Sequence, residues 1–147
     1  MEKTFILIKP DGVNRQLIVP ILQRFTATGL KITRLEMVKP SPEQASRHYE
    51  GLREKGADIK ARNEKTLCSG QVVIALLEGR NAVAKTRQVL GATEPLVAAP
   101  GTIRGDWAND TIQAATEETR GMENLAHASD SQENAVIEEA IWFGKLP

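Results

Sequence analysis

The stretch T-F-I-L-I-K-P-D-G, residues 4–12, passes from five almost continuously apolar positions into four residues of turn chemistry. A run that short and that apolar suits a buried strand. Lys9-Pro10-Asp11-Gly12 then stops it, because Pro and Gly punctuate regular structure. The chain therefore opens on a strand of its core, and the remaining elements can be placed around it.

Residues 18–28 read as a helix, with Pro20 tolerated near the first turn, Ile21, Leu22 and Phe25 on one face, and Gly29 as the stop. Residues 30–38 alternate as a half-buried strand does. Ser41-Pro42-Glu43-Gln44 carries an N-cap, a Pro at the first helical position and a capping-box Gln. That helix is expected to run to about Lys55, with another over residues 58–66. Residues 71–77 form a further buried strand, and Asn81 caps a helix that Gly91 ends. An irregular stretch covers residues 92–123. A strand at 125–128, a helix at 131–140 and an apolar tail, Ile141-Trp142-Phe143, close the chain. The order contains a β-α-β-β-α-β core, so the expected fold is α+β and ferredoxin-like, a four-stranded antiparallel sheet with additional helices.

A length of 147 residues suits one compact domain, 1–147, with an extended loop around 107–123. Nineteen basic and nineteen acidic residues cancel, which argues against the broad basic face of a general nucleic-acid binder but leaves room for a local positive pocket. No apolar run is long enough to span a membrane and nothing resembles a signal peptide. The single Cys68 excludes an internal disulfide and a cysteine-rich zinc site. These features point to the cytoplasm.

Phosphate-loop, dinucleotide, zincin and nucleophile-elbow motifs are all absent. What remains is a scatter of polar residues just after apolar elements: Lys9, Arg87, Arg104, His127 and Ser129. Two arginines and a lysine around a histidine suit a polyphosphate, since guanidinium groups bind phosphate oxygens as a fork. Taken singly, each has a plainer reading. Lys9 reads as a solvated turn lysine, Arg87 as a surface helix residue, His127 as a structural histidine, and Asp130 and Ser131 as helix caps.

The segments T-F-I-L-I-K-P-D-G-V (4–13), P-G-T-I-R-G-D (100–106) and N-L-A-H-A-S-D-S (124–131) resemble, in order, the signature segments of nucleoside diphosphate kinases. His48-Tyr49, R-Q-V-L-G-A-T-E-P (87–95) and a closing E-x-x-x-W-F (138–143) match as well. The resemblance implies a ping-pong phosphotransferase in which His127 takes the γ-phosphate of ATP or another nucleoside triphosphate and passes it to a diphosphate. It assigns Glu138 to orient His127, Lys9 and Tyr49 to the neighbourhood of the transferred phosphate, and Ser129 to the same catalytic segment. Arg87, Thr93 and Arg104 match residues that hold the other phosphates, and Asn124 and Lys9 match contacts to the sugar hydroxyls. It further implies Mg²⁺ carried on the nucleotide phosphates with no direct protein ligand, and a homo-oligomer, a hexamer or a tetramer built from dimers. No membrane and no specific nucleic acid are expected as partners.

The chain departs from that pattern in three places. The family's Pro-Phe-Phe, whose first Phe stacks on the nucleobase, is missing; Lys55-Gly56-Ala57-Asp58 stands in that region, with Ile59 as a plain apolar substitute. Base–aromatic stacking contributes about 1–3 kcal/mol, so altered nucleobase handling is expected. The segment between Asp106 and Asn124 is about ten residues longer than usual, and reads either as an inert surface elaboration or as a short helix over the site. Glu94 replaces the usual Asn before Pro95, and Trp107 replaces a Phe. A nucleotide-binding regulator without turnover is the alternative, as is a nucleic-acid module. Retention of a nucleophile together with its orienter counts against the first, and the neutral charge against the second.

Overall fold

The computed structural model describes residues 1–144. Its sheet has the order β2-β3-β1-β4, every neighbouring pair antiparallel, with β1 Glu2–Ile8, β2 Lys31–Val38, β3 Val72–Gly79 and β4 Ala126–Ala128. That is the expected ferredoxin-like arrangement. β1 is central, and the pleat sends its alternate residues to opposite faces. Ile6 and Ile8 join one buried cluster with Ile21, Phe25 and Leu90, while Phe5 and Leu7 join another with Leu67, Ile141 and Trp142. Because helices cover both faces, no polar position alternates along the strand, and the sequence shows an unbroken apolar run.

The first face is covered by α2 (Ile18–Thr26) and α5 (Ala82–Leu90). The second is covered by α3 (Pro42–His48), α4 (Ala57–Leu67) and α8 (Gln132–Phe143). Ser41 caps α3 through a full capping box, as the sequence predicts. That helix does not reach Lys55: it stops at His48, and residues Glu50–Lys55 tighten into a 3₁₀ turn before Gly56 at φ 138° opens α4. Asn81 precedes α5 in the left-handed conformation and makes no side-chain cap. The apolar tail is not a tail either, since Ile141, Trp142 and Phe143 form the last turn of α8.

Two further corrections concern the loops. Lys9-Pro10-Asp11-Gly12 is read as a turn, yet Pro10–Asn14 is a short helix, α1, started by the Pro at its first position. Gly12 is required there, because a Cβ would lie 2.8 Å from both Ile8 Cγ2 and Leu125 O. The irregular stretch holds a 3₁₀ turn, Pro95–Val97, and two short helices, α6 (Ile103–Trp107) and α7 (Ile112–Glu117). α7 is the helix foreseen within the long segment.

That segment is tied into the fold by polar contacts. Asp110, 7% exposed, accepts two bonds from Arg120 (2.6 and 3.0 Å) and the backbone N–H groups of Thr111 (2.9 Å) and Glu123 (2.8 Å). Burial by itself would raise the pKa of this carboxyl; the Arg120 bonds and the N–H donors outweigh it and hold the pKa below the ordinary value. Glu94 accepts from Ile112 N–H at 2.7 Å, and Gly121 N–H donates to Thr66 Oγ1 on α4 at 2.8 Å. Glu94, foreign to the family pattern, thus serves the N-terminus of the added helix.

Asp110→Ala is expected to strand the Arg120 charge and two N–H groups, costing about 2–3 kcal/mol. Thermal unfolding should show Tm lower by roughly 5–10 °C. The native carboxylate's contribution is complete above the ordinary carboxylate pKa and is lost as pH falls through its depressed folded value. The wild-type and Asp110→Ala unfolding curves should therefore converge in acid.

Candidate active site

β4 pairs with β1 so that His127 lies opposite Leu7, and Ala126 and Ala128 lie opposite Ile8 and Ile6. Directly opposed residues share a face. His127 therefore points with Leu7 toward α3 and α8, while its two neighbours pack into the other cluster. The entry to β4 is fixed by Leu125, a fully buried residue at φ 74°. Its N–H donates to Asp11 Oδ2 (3.0 Å) and its carbonyl accepts from Lys9 N–H (2.8 Å). Strained backbone of this kind persists only where the surroundings over-determine it.

His127 Nε2 lies 2.9 Å from Glu138 Oε1, and the other carboxylate oxygen of Glu138 accepts from Ser129 Oγ at 2.5 Å. Glu138 sits on α8 with Ala135, Ile141 and Trp142 on its buried face. An ionised carboxylate only accepts, so Nε2 carries the proton and Nδ1 keeps a lone pair. Ser129 is fixed in turn by its N–H, which donates to Phe5 O at 3.0 Å.

A second group lies around Asn124. Lys9 Nζ donates to Asn124 Oδ1 (3.0 Å) and to Met122 O (2.5 Å), which leaves one of its three N–H bonds for a ligand. Asn124 Nδ2 donates to Thr93 O (3.0 Å). Arg104 spends Nε on Asn124 O, Nη1 on Gly91 O and Nη2 on Ala126 O, which leaves two of its five donors. Arg87 donates to Ala128 O at 3.2 Å from α5. Tyr49, at the end of α3, touches His48 edge-on with ring centroids 4.9 Å apart. The structure thus gathers Lys9, Thr93, Arg104 and Asn124 into one network and His127, Ser129 and Glu138 into another, with Arg87 and Tyr49 beside them.

The plain reading of Lys9 does not survive. It is 5% exposed rather than solvated, and burial lowers its pKa to about 8, the neighbouring carboxylate of Asp11 opposing and the Arg104 cation assisting. Burial likewise lowers Arg104 to about 10, with Arg87 adding repulsion. Burial raises the pKa of Tyr49 well above the ordinary phenol, with Asp11 contributing, so its hydroxyl stays a donor at neutral pH. These buried cations face one another without a full complement of carboxylates, as a site built for a polyanion should.

Sequence reasoning assigned no role to His48, Trp142 or Asp11. His48 and His127 have ring centroids 4.5 Å apart, and Trp142 Nε1–H donates to His48 Nδ1 at 3.1 Å. His48, His127 and Glu138 are the group among the described residues whose ligand atoms lie close enough, within 4.8 Å, to share a metal ion. Their hydrogen bonds argue otherwise: Trp142 occupies Nδ1 of His48 and Glu138 takes the Nε2 proton of His127. Among the described residues, no group of three carboxylates close enough to hold a cation adjoins Lys9 and Arg104.

The chain was compared with known proteins. The nucleoside diphosphate kinase family model matches residues 2–146. A nucleoside diphosphate kinase of Aspergillus fumigatus is 43% identical over 142 residues, 97% of this chain and 85% of its own. One from Exiguobacterium is 42% identical over 99% of this chain and 96% of its own. Among solved structures, a nucleoside-diphosphate kinase from Borrelia burgdorferi, a transition-state mimic with bound vanadate and ADP, superposes with a TM-score of 0.92. It is 32% identical, covering 97% of this chain and 86% of that one. The NDP kinase of Pyrobaculum aerophilum gives 0.89 at 38% identity, covering 97% and 95%.

Since the Lys9 pKa is depressed on folding, the folded state sheds its proton first, and stability from this group rises with pH between about 8 and the ordinary lysine value. Urea unfolding of the nucleotide-free protein at pH 7.5 and 9.5 should show that gain. Lys9→Met should remove it, and an unchanged difference between the two pH values would contradict the burial of a charged Lys9.

Proposed function

The chain belongs to the nucleoside diphosphate kinase family and is a phosphotransferase; we propose that the reaction runs through His127 Nδ1 as the phosphoryl acceptor. The observation that carries this reading is the Nε2···Glu138 bond of 2.9 Å, which fixes the tautomer and leaves Nδ1 unprotonated. Nδ1 attacks the γ-phosphorus of a nucleoside triphosphate, the bond to the bridging oxygen breaks, and the diphosphate leaves. The ring of the phosphohistidine still holds its Nε2 proton and is positively charged, and the Glu138 carboxylate offsets that charge. A terminal phosphate oxygen of a second diphosphate then takes the phosphoryl group, and the neutral imidazole returns.

Phosphoryl transfer asks the protein mainly for positioning and charge neutralisation. Lys9 and Asn124 are assigned to the ribose hydroxyls, with the Lys9 charge also reaching the transferred phosphate together with the Tyr49 hydroxyl. Arg87, Thr93 and Arg104 hold the remaining phosphates. Mg²⁺ carried on the nucleotide, with no ligand of its own from this chain, would add charge neutralisation. The chain acts as one domain over residues 1–147, assembled into a homo-oligomer; Leu35 and Met37, exposed on edge strand β2, supply apolar surface for contact. No helix among the described residues is long and apolar enough to cross a membrane, and the free thiol of Cys68 suits a reducing cytoplasm.

Base handling differs from the common pattern. In place of an aromatic platform, α4 carries Ile59 and Arg62, and the added segment lies against the same helix. A Cβ on Gly121 would fall 2.9 Å from Asn63 Oδ1 and 3.1 Å from Thr66 Cβ, so the segment runs close along α4. Arg62 reaches Thr116 O of α7 at 3.5 Å, while its Nε is buried without a partner. A guanidinium plane stacks on a base much as an aromatic ring does. Arg62 and Ile59 therefore replace the missing Phe as the wall of the base slot.

Incubation with γ-labelled ATP and Mg²⁺ should give an acid-labile phosphohistidine that GDP discharges, and His127→Ala should give none. Label retained in that variant, or never acquired by the folded wild type, would sink the assignment. Arg62→Ala should raise KM for purine and pyrimidine diphosphates alike by roughly tenfold, the loss of about one stacking contact, with kcat at saturation unchanged. An unaltered KM profile would remove Arg62 from the base slot.

A further inference from the structure

The reading above fixes one edge of the His127 ring. A single bond from Nε2 to Glu138 leaves the ring free to turn about that axis, and turning moves Nδ1 off the line of attack. Something else must set the plane. The ring packed against it at 78° and 4.5 Å between centroids is His48, the last residue of α3 and the only other histidine in the chain.

We infer that His48 is a positioning residue for the phosphorylated histidine, a second clamp that holds the plane of the His127 ring and is itself locked by Trp142. The inference rests on the proposed role of His127. The geometry supplies each part. His48 stands edge-to-face to His127, to Tyr49 (78°) and to Trp142 (74°), so it is braced from three sides. An indole N–H only donates, so the 3.1 Å bond from Trp142 makes His48 Nδ1 an acceptor and puts its proton on Nε2. Trp142 is 4% exposed and stacks on Phe5 of β1, at 14° between planes, which ties the clamp to the central strand. Trp142 also follows Glu138 by four positions, one turn along the same face of α8. One helix face therefore holds both histidines, His127 through Glu138 and His48 through Trp142.

Charge supports the same assignment. The titratable groups around His48 are His127 on β4, Glu138 on α8, Tyr49 beside it, and Lys9 after β1. Burial, with the like charges of His127 and Lys9, keeps the pKa of His48 well below that of an ordinary histidine. His48 is therefore neutral when the His127 ring becomes cationic on phosphorylation, and no like-charge pair opposes the intermediate. The clamp would fail in that role if it could itself take up the proton.

Misplacing a reacting atom slightly costs rate rather than affinity. His48→Ala is expected to slow labelling of His127 by ATP about tenfold or more while the Kd for ADP stays within twofold. In ¹⁵N relaxation of the nucleotide-free His48→Ala protein, the His127 ring should become mobile while Glu138 keeps its proton on Nε2. The pair His48→Phe with Trp142→Phe keeps a ring in contact and leaves no orphan indole N–H, and it should recover most of the labelling rate. Wild-type labelling by folded His48→Ala with a His127 ring as rigid as in the wild type would overturn the inference, and so would a loss confined to Kd. If the wild type takes no label at all, the phosphohistidine reading has failed, and the ring-mobility measurement still decides whether His48 holds the ring.

Discussion

Leu125 is the residue on which the site turns. It occupies the left-handed region, which costs a non-glycine residue about 1–2 kcal/mol, and it is held there from two sides by the loop that follows β1. The Lys9 N–H and the Asp11 carboxylate act on adjacent peptide groups of one residue. That clamp rotates the chain as it enters β4, so that Asn124 turns toward Lys9 on one side and His127 turns toward α8 on the other. Gly12 permits the approach, because any side chain there would strike Leu125 itself. The K-P-D-G segment is therefore a structural device as well as a source of one functional lysine.

From that point the periodicities of strand and helix do the rest. A three-residue strand suffices for β4 because its pleat must place only one side chain outward between two alanines that seal the core. α8 answers with residues at helical spacing, Glu138 for His127 and Trp142 for His48. The cations Lys9 and Arg104 are costly to bury, and each spends part of its hydrogen-bonding capacity on backbone carbonyls. Burial of this kind makes the charges available at full strength to a polyphosphate, since less water competes for them.

The segment between Asp106 and Asn124 is tied to the fold by its own polar contacts. Asp110 and Arg120 close it upon itself, Glu94 holds the start of its helix, and Thr66 and Gly121 bind it to α4. These anchors are polar, and none of them belongs to the two core clusters. The base slot, which lies between those two elements in the proposed reading, is where the rebuilding has consequences for substrates.

Much of this was legible in the residues. Apolar runs and caps located the strands and most of the helices, and the linear motifs pointed to the family before any coordinate was known, because both depend on neighbours in sequence. The errors fell where contacts between distant segments prevail over local preference. Lys9 looks like a solvated turn residue until Met122 and Asn124 are placed on it. The helix after Ser41 looks continuous until the packing of His48 and Tyr49 ends it, and Ile141-Trp142-Phe143 look like a loose tail until the second face of the sheet is seen to need covering. The sequence by itself determined the fold class, the order of the strands and the family. Only the tertiary structure decided which nitrogen of His127 faces Glu138, that His48 stands against it, and what lies along α4. Tautomers, ring planes and slot walls are set by atoms brought together across the fold, and spacing along the chain carries no record of them.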